Sequence, residues 1–425
     1  MANLTGIEGL ACIRSSVVQR MPNKGAKRII KKEFTDCNQL GGTSKVPNDR
    51  SVSSRAKRFI DDPACSNPDQ KELQEIQQRA ESLGVKSHKN IDGTKQYYHT
   101  IIRYLIFGNV LKNQTYPLSV SAERLSQAQH IVDYAKSLGV QAVAHGSTGA
   151  GNDQVRFDMM IETYMPEVEL ITPVRDQALS RSEEISFLQS HGVEVDASEA
   201  AYSINKGLWG TSIGGVETLQ SMGDLPEKVW PTQRKRTDEL ELQLHFQQGE
   251  LSGIDAEHVE DSVEAIERLN KIGGEFAIGR DIHVGDTIIG IKGRVAFEAP
   301  AAMMMIKAHH ALEKHVLTKW QLHWKDTISS FYGNWLHEGL IMDPVMRDIE
   351  AFLESSQQRV TGSVLLRLHP YRFTVVGVES PYDLMQSSFG AYGEEQGTWT
   401  GEDVKGFTRI FGLQNKIYHQ TKKRP

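Results

Sequence analysis

The stretch His145-Gly146-Ser147-Thr148-Gly149-Ala150-Gly151-Asn152-Asp153-Gln154-Val155-Arg156-Phe157 decides how this chain is read. A short apolar run at 141–145 precedes it, a helix-spaced stretch from about 152 to 164 overlaps its end, and a second apolar run at 168–172 follows. Strand, glycine-rich turn, helix and strand make a βαβ unit, which predicts an α/β fold with a parallel sheet. The turn then lies at the carboxyl end of a strand, where open α/β sheets bind ligands because the next helix begins with unpaired, partly positive N–H groups. Gly146, Gly149 and Gly151 permit close approach of backbone to a ligand. Thr148 and Asn152 offer neutral hydrogen bonds, Asp153 can hold an ammonium, and Arg156 presents a fork that suits a carboxylate. Asn152 and Arg156 are four residues apart, so they share a helix face. The glycines at 146, 149 and 151 do not follow the GxGxxG spacing of a dinucleotide-binding turn.

Outward from this unit, a helix is expected from about 121 to 138, with Leu125, Ala128, Val132, Ala135 and Leu138 on one face and Gly139 as its stop. Another starts at Asn67-Pro68 and carries Leu73, Ile76, Ala80 and Leu83. The segment 202–215, YSINKGLWGTSIGG, is polar, glycine-rich and aromatic at once; its Ser203 and Ser212 are candidate ligand contacts or turn residues. Residues 220–240 read as a surface connection. In the C-terminal half, strands are expected at 278–292, 362–368 and 373–378, a long helical stretch at 302–353, and a hairpin turn at 369–372. His309, His310 and His315 lack the spacing of a metal site, and Trp320, Trp324, Phe331, Tyr332 and Trp335 read as core or interface aromatics.

A length of 425 residues exceeds what one core usually organises. Charge is unevenly spread: residues 1–65 hold 12 Lys and Arg against 6 Asp and Glu, and the remaining 360 hold 36 against 48. Cys12, Cys37 and Cys65 also lie in the first stretch, too few for a disulfide framework. An acidic main body argues against nucleic acid as partner. The longest apolar run, 301–306, is far short of a membrane span, and the first residues do not form a secretory signal, so a reducing cytoplasm is the expected setting.

The quoted segment, with NVLKNQTYPLSVSAER (109–124), YSINKGLWGTSIGG (202–215), IGRDIHVGDTIIGIKGR (278–294) and SPYDLM (380–385), resembles argininosuccinate synthase, in a less widespread bacterial form. The resemblance spans about residues 66–425. It implies a HUP-like (adenine nucleotide α hydrolase-like) parallel-sheet nucleotide domain at 66–176, an α+β synthetase domain at 177–398 and a C-terminal oligomerisation arm at 399–425 that builds a homotetramer. Residues 1–65 form an atypical segment expected to be poorly ordered. The implied activity is ATP-dependent ligation of citrulline and aspartate through citrullyl-AMP, releasing AMP and pyrophosphate, with Mg2+ accompanying the nucleotide; the cell would use it in arginine biosynthesis.

Position by position, the resemblance implies that Gly146 lies against ATP, that Thr148, Asn152 and Asp153 hold aspartate, and that Tyr116, Ser121, Asn152, Arg156, Ser203 and Ser212 hold citrulline. No side chain is needed as a covalent nucleophile. Two positions depart from the commoner form of the family, Gly285 where a Glu is usual and Phe297 where a Tyr is usual. A larger departure is at the front. The family opens on an apolar strand running into SGGxDxS, and here the nearest string is Gly41-Gly42-Thr43-Ser44, read as a loop. Losing four phosphate contacts would cost on the order of 6–12 kcal/mol. In that reading a central strand of the sheet is also missing. Two alternatives follow: a ligase whose first 65 residues come from a disturbed reading frame, or a catalytically silent relative that binds amino acids or joins tetramers.

Overall fold

A computed structural model describes residues 10–13, 58–61, 73–74, 77–78, 87–147, 149, 151–178, 183, 186, 202–385 and 398–421. Of the expected helix after Pro68, only 73–74 and 77–78 fall among these, and they are helical. Thr148, the string 41–44 and most of 1–65 lie outside them.

The first layer is a five-stranded parallel sheet made of Leu10–Ile13 (β1), Arg58–Asp61 (β2), Ser87–Asn90 (β3), Ala142–His145 (β4) and Glu169–Ile171 (β5), in the order β3-β2-β1-β4-β5. The expectation that a central strand of the sheet is missing is thereby corrected. β1 holds the central place, pairing Ala11 with Arg58 on one side and Val143 on the other. All four residues of β4 are buried, as a strand covered on both faces requires. The helix before it runs Ser119–Leu138 (α1), two residues longer than the sequence indicates, and stops at Gly139 with left-handed φ of 59°. The helix after the glycine-rich turn is Asp153–Tyr164 (α2). Ahead of α1, a helical segment from Thr94 to Phe107, with a π-helical stretch at Tyr98–Ile102, buries Tyr97, Tyr98, Ile101, Ile102, Leu105 and Ile106.

Beyond β5 the strands are Tyr202–Asn205 (β6), Thr211–Gly215 (β7), Leu240–Gln247 (β8), Glu250–Ile254 (β9), Glu257–His258 (β10), Arg280–Asp286 (β11), Lys292–Glu298 (β12), Gly362–His369 (β13) and Arg372–Glu379 (β14). They form two antiparallel sheets, β11-β12-β7-β6 and β10-β9-β8-β13-β14. The single strand expected at 278–292 is instead a strand, a reversal at 287–291 and the start of its antiparallel partner. Thr287 N–H and Ile291 N–H close that turn on the Ile291 carbonyl and the Thr287 hydroxyl. Residues 220–240 are also more than a surface connection: Leu225, Val229 and Trp230 pack with Ile213 and Ala296 in a second, smaller core.

Helices Ser262–Glu275 (α3), Pro300–Val316 (α4), Lys319–Glu338 (α5) and Pro344–Ser356 (α6) cover the main core. Asp261 caps α3, and Thr318 and Asp343 cap α5 and α6 through their side-chain oxygens; at Thr318 and Asp343 the helical stretch expected at 302–353 breaks into three. The aromatic group divides: Tyr332 is buried, whereas Trp320, Trp324 and Phe331 are more than half exposed. Gly401–Phe411 (α7) and Leu413–Thr421 (α8) bury no residue. No helix among the described residues is long and apolar enough to cross a membrane.

Three ionisable side chains are fully enclosed between α4 and α5. Lys325 Nζ lies 2.8 Å from Glu313 Oε2, and His309 lies on the turn before Glu313. Asn109 and Gln357 donate their amide N–H groups to Glu313, at 2.6 and 3.1 Å, and turn their amide oxygens to the His309 ring. Burial disfavours the Glu313 charge, but Lys325 and His309 outweigh it and hold the carboxyl below its ordinary range. Removing the cation alone leaves a buried carboxylate uncompensated. Lys325→Met should therefore cost about 3–5 kcal/mol in urea unfolding, while the double variant Lys325→Met/Glu313→Leu should recover most of that loss.

Candidate functional site

The glycine-rich turn leaves β4 at His145, and Gly146, Ser147, Gly149 and Gly151 lead into α2. Asp153 stands in the first turn of α2, where the helix dipole favours an acid. Its carboxylate is gripped from two sides. Arg156 Nη1 donates to Oδ1 at 3.1 Å from the next turn of the same helix, and Arg124 Nε donates to Oδ2 at 3.2 Å from α1. Burial works against the Asp153 charge, yet the two guanidinium groups prevail and hold its carboxyl below the usual range.

Arg156 is only 3% exposed, and its fork is already engaged. Nε and Nη2 donate to the His337 carbonyl at 3.1 and 2.7 Å, and Nη2 also meets His337 Nδ1 at 3.4 Å. With the bond to Asp153, these contacts use four of the five N–H donors of a guanidinium. The open fork expected from the sequence is therefore closed on the end of α5. That end is shaped for it: Gly339 takes φ of 91°, and a Cβ there would come within 3.5 Å of Arg156 Cγ. His337 accepts through Nδ1 and donates from Nε2 to the Asp286 carbonyl at 3.3 Å. Burial, with Arg156 and Lys112 close by, pushes its pKa down to about 3, so the ring is neutral.

Asn152 faces the other way. Its Oδ1 accepts from Ile288 N–H at 2.9 Å, tying the start of α2 to the turn between β11 and β12. Tyr116 is buried, stacked on His283 with ring centres 5.3 Å apart, and packed on Phe297 at 5.4 Å; its hydroxyl accepts from Val120 N–H at 3.3 Å. Ser121 lies in the first turn of α1, its hydroxyl 3.5 Å from the Leu118 carbonyl. Leu118 itself takes left-handed φ of 60°, which a branched residue adopts only against strain. Ser212 on β7 is buried, paired with Asn205 of β6 and with Phe297 of β12, and Ser203 pairs with Gly214. Among the sequence candidates, Asp153 and Arg156 are in direct contact. Asn152 bonds to the β11–β12 turn, Tyr116 and Ser121 lie at the start of α1 or just before it, Ser203 and Ser212 lie on the paired strands β6 and β7, and Thr148 is outside the described residues.

Arg124 joins these groups and was given no role by the sequence reading. Besides Asp153 it donates to Gln127 Oε1 at 2.7 Å and to Asn205 Oδ1 at 3.1 Å, linking α1, α2 and β6. A signal was present, because Arg124 falls three residues after Ser121 and so shares its helix face. His337 carried no such signal, its partner being 181 positions away.

Both parts of the chain match known proteins. Residues 65–194 match the Arginosuccinate synthase N-terminal HUP domain, and residues 202–418 match the Arginosuccinate synthase C-terminal domain. An argininosuccinate synthase of Dictyoglomus thermophilum is 37% identical over 351 residues, 81% of this chain and 87% of the relative. That of Methanocaldococcus jannaschii is 35% identical over 358 residues, covering 84% and 90%, and that of Pyrococcus furiosus 34% over 350, covering 81% and 84%. Both domain models, in order and over nearly the whole described body, place the chain in the argininosuccinate synthase family, to which it belongs.

Proposed function

We propose that this chain ligates L-citrulline and L-aspartate at the expense of ATP, forming argininosuccinate, AMP and pyrophosphate. The observation that carries the proposal is the meeting of α1, α2, β6 and the β11–β12 turn at the carboxyl end of β4, through Arg124, Asn152 and Asp153. In the first step the citrulline ureido oxygen attacks the α-phosphorus and pyrophosphate leaves. In the second the aspartate amine attacks the ureido carbon, loses a proton and expels AMP. The leaving group is supplied by adenylation, so the side chains have to position and to balance charge.

In this reading Gly146 lies against ATP. Thr148, Asn152 and Asp153 hold aspartate, with Asp153 on its ammonium. Tyr116, Ser121, Asn152, Arg156, Ser203 and Ser212 hold citrulline, whose carboxylate would share Nη1 of Arg156 with Asp153. Mg2+ enters on the phosphate oxygens, as that ion usually does. The chain divides at 66–176, 177–398 and 399–425, the last piece gripping another subunit of a homotetramer. Support for that arm is the exposed apolar set Phe407, Ile410, Phe411 and Ile417 on α7 and α8.

One observation favours the second reading, a silent relative that keeps the amino-acid site. β1 occupies the strand position from which a phosphate loop would emerge, and the residues that follow it are Arg14-Ser15-Ser16-Val17-Val18, with no glycine. Citrulline-dependent ATP/pyrophosphate exchange on the full chain separates the two. Exchange with argininosuccinate formation upholds the ligase; calorimetric binding of citrulline or aspartate without exchange selects the silent relative.

Three outcomes are expected. Asp153→Asn and Arg124→Met should each weaken aspartate binding about 10- to 100-fold, the worth of one charge-assisted contact, and Asp153→Asn should also lower the unfolding midpoint, because it leaves the buried Arg156 without its counter-charge. Because His337 is neutral when folded and titrates near 6.5 when unfolded, the unfolded chain takes up its proton first. Stability present above about pH 6.5 should thus fall toward pH 4 by up to ~1.4 kcal/mol per unit from this residue, and His337→Asn should flatten that slope in urea titrations. Phe407→Ser/Phe411→Ser should lower the mass seen by light scattering, and an unchanged mass would remove the arm from the assembly.

A further inference from the structure

The glycine-rich loop is held from beneath by a set of side chains outside the proposed substrate contacts. His145, the last residue of β4, is buried, and its Nδ1 accepts the Ser147 N–H at 3.3 Å. With Nδ1 accepting, the ring proton sits on Nε2, which lies 2.7 Å from Asp158 Oδ1 on the second turn of α2. Asp158 Oδ2 is in turn ion-paired with Arg175 from the segment after β5. Burial opposes the Asp158 charge, but the bonds from His145 and Arg175 prevail and keep its carboxyl below the ordinary range.

A second limb leads from the same arginine. Arg175 Nη1 lies 3.4 Å from Gln154 Oε1, and Gln154 Nε2 donates to the Gly149 carbonyl. Arg175 Nη2 donates to Thr172 Oγ1 at 2.8 Å, which fixes the arginine to the end of β5. The loop is therefore gripped at a backbone N–H on one side of Thr148 and at a backbone carbonyl on the other. Both grips end on one guanidinium.

We propose that His145, itself held by Asp158 and Arg175, is a positioning residue that through its bond to Ser147 N–H fixes the backbone at the start of the glycine-rich loop and so sets the affinity of this loop for the nucleotide. The nucleotide half rests on the ligase reading above; the loop half does not. Flexible glycines cost entropy when a ligand orders them, and a clamp that has already fixed the flanking amide and carbonyl removes part of that cost. Bonds of this kind are worth about three- to tenfold each in an equilibrium.

The test compares the full chain with His145→Ala and His145→Asn, since an asparagine Oδ1 sits where Nδ1 does and can still accept from Ser147 N–H. Hydrogen exchange of the peptide covering 146–151 is read without ligand, and binding of a non-hydrolysable ATP analogue is read by calorimetry. His145→Ala should speed exchange in the loop at least threefold while leaving the peptide at 157–163 of α2 unchanged, and should weaken the analogue about three- to tenfold; His145→Asn should recover most of both. Unchanged loop exchange in His145→Ala overturns the clamp, as does equal damage in the two variants. Faster exchange with unaltered analogue affinity overturns its link to the nucleotide. An unsubstituted chain that does not bind the analogue refutes the ligase reading instead, and the exchange data still decide the clamp.

Discussion

A guanidinium cannot be buried without partners, because the desolvation of an ion costs several kcal/mol even after relaxation. Arg156 is such a group, and the structure around it is what makes its burial tolerable. Asp153 supplies the opposite charge from the same helix, and the terminal carbonyl of His337 supplies the negative end of α5. Asp153 then needs its own balance, which Arg124 brings from α1, and Arg124 is steadied by Asn205 on β6. The parallel-sheet part and the antiparallel part are thus joined by a run of charge compensation rather than by apolar packing alone. Gly339 belongs to the same constraint, since its left-handed turn lets α5 end against the Arg156 side chain.

The loop beside this run is built on a different plan. On one side Asn152 and Asp153 bond to the β11–β12 turn and to α1; on the other His145, Asp158, Gln154 and Arg175 bond to one another and to the loop backbone. Charge is arranged on both sides of a backbone that carries little side-chain bulk of its own. Such a loop gains precision from its supports, because glycines at 146, 149 and 151 impose almost none.

What the sequence disclosed follows from how local each signal is. β4, α2 and β5 were legible because an apolar strand, a cluster of glycines and a helical period stand within thirty residues. The hairpin of β11 and β12 was read as one strand because its reversal, Thr287-Ile288-Ile289-Gly290-Ile291, carries three isoleucines and looks like continued strand. β1 escaped notice because four residues between Gly9 and Arg14 give no period, and its place depends on partners 47 and 132 positions away. Asp153 and Arg156 were identified, yet not the closing of the Arg156 fork, since His337 lies in another helix and acts through its backbone carbonyl, which every residue possesses.

The central place of β1 bears on the proposed chemistry more than any single side chain. A phosphate cradle needs several successive N–H groups turned inward, and that turn needs residues tolerant of positive φ. Ser15, Ser16, Val17 and Val18 follow β1, and β-branched valines are among the residues least able to take that conformation. The loop after β4 has the glycines that β1's successor lacks. In the proposed ligation, more of the orientation of the nucleotide must then come from that loop and from what fixes it. An amide held by His145 and a carbonyl held by Gln154 are ordered before any ligand arrives, whereas a cradle absent from the sequence cannot be ordered by binding. In the proposed ligation the two strands therefore contribute unequally: glycines follow β4 directly, and none stands among the five residues that follow β1.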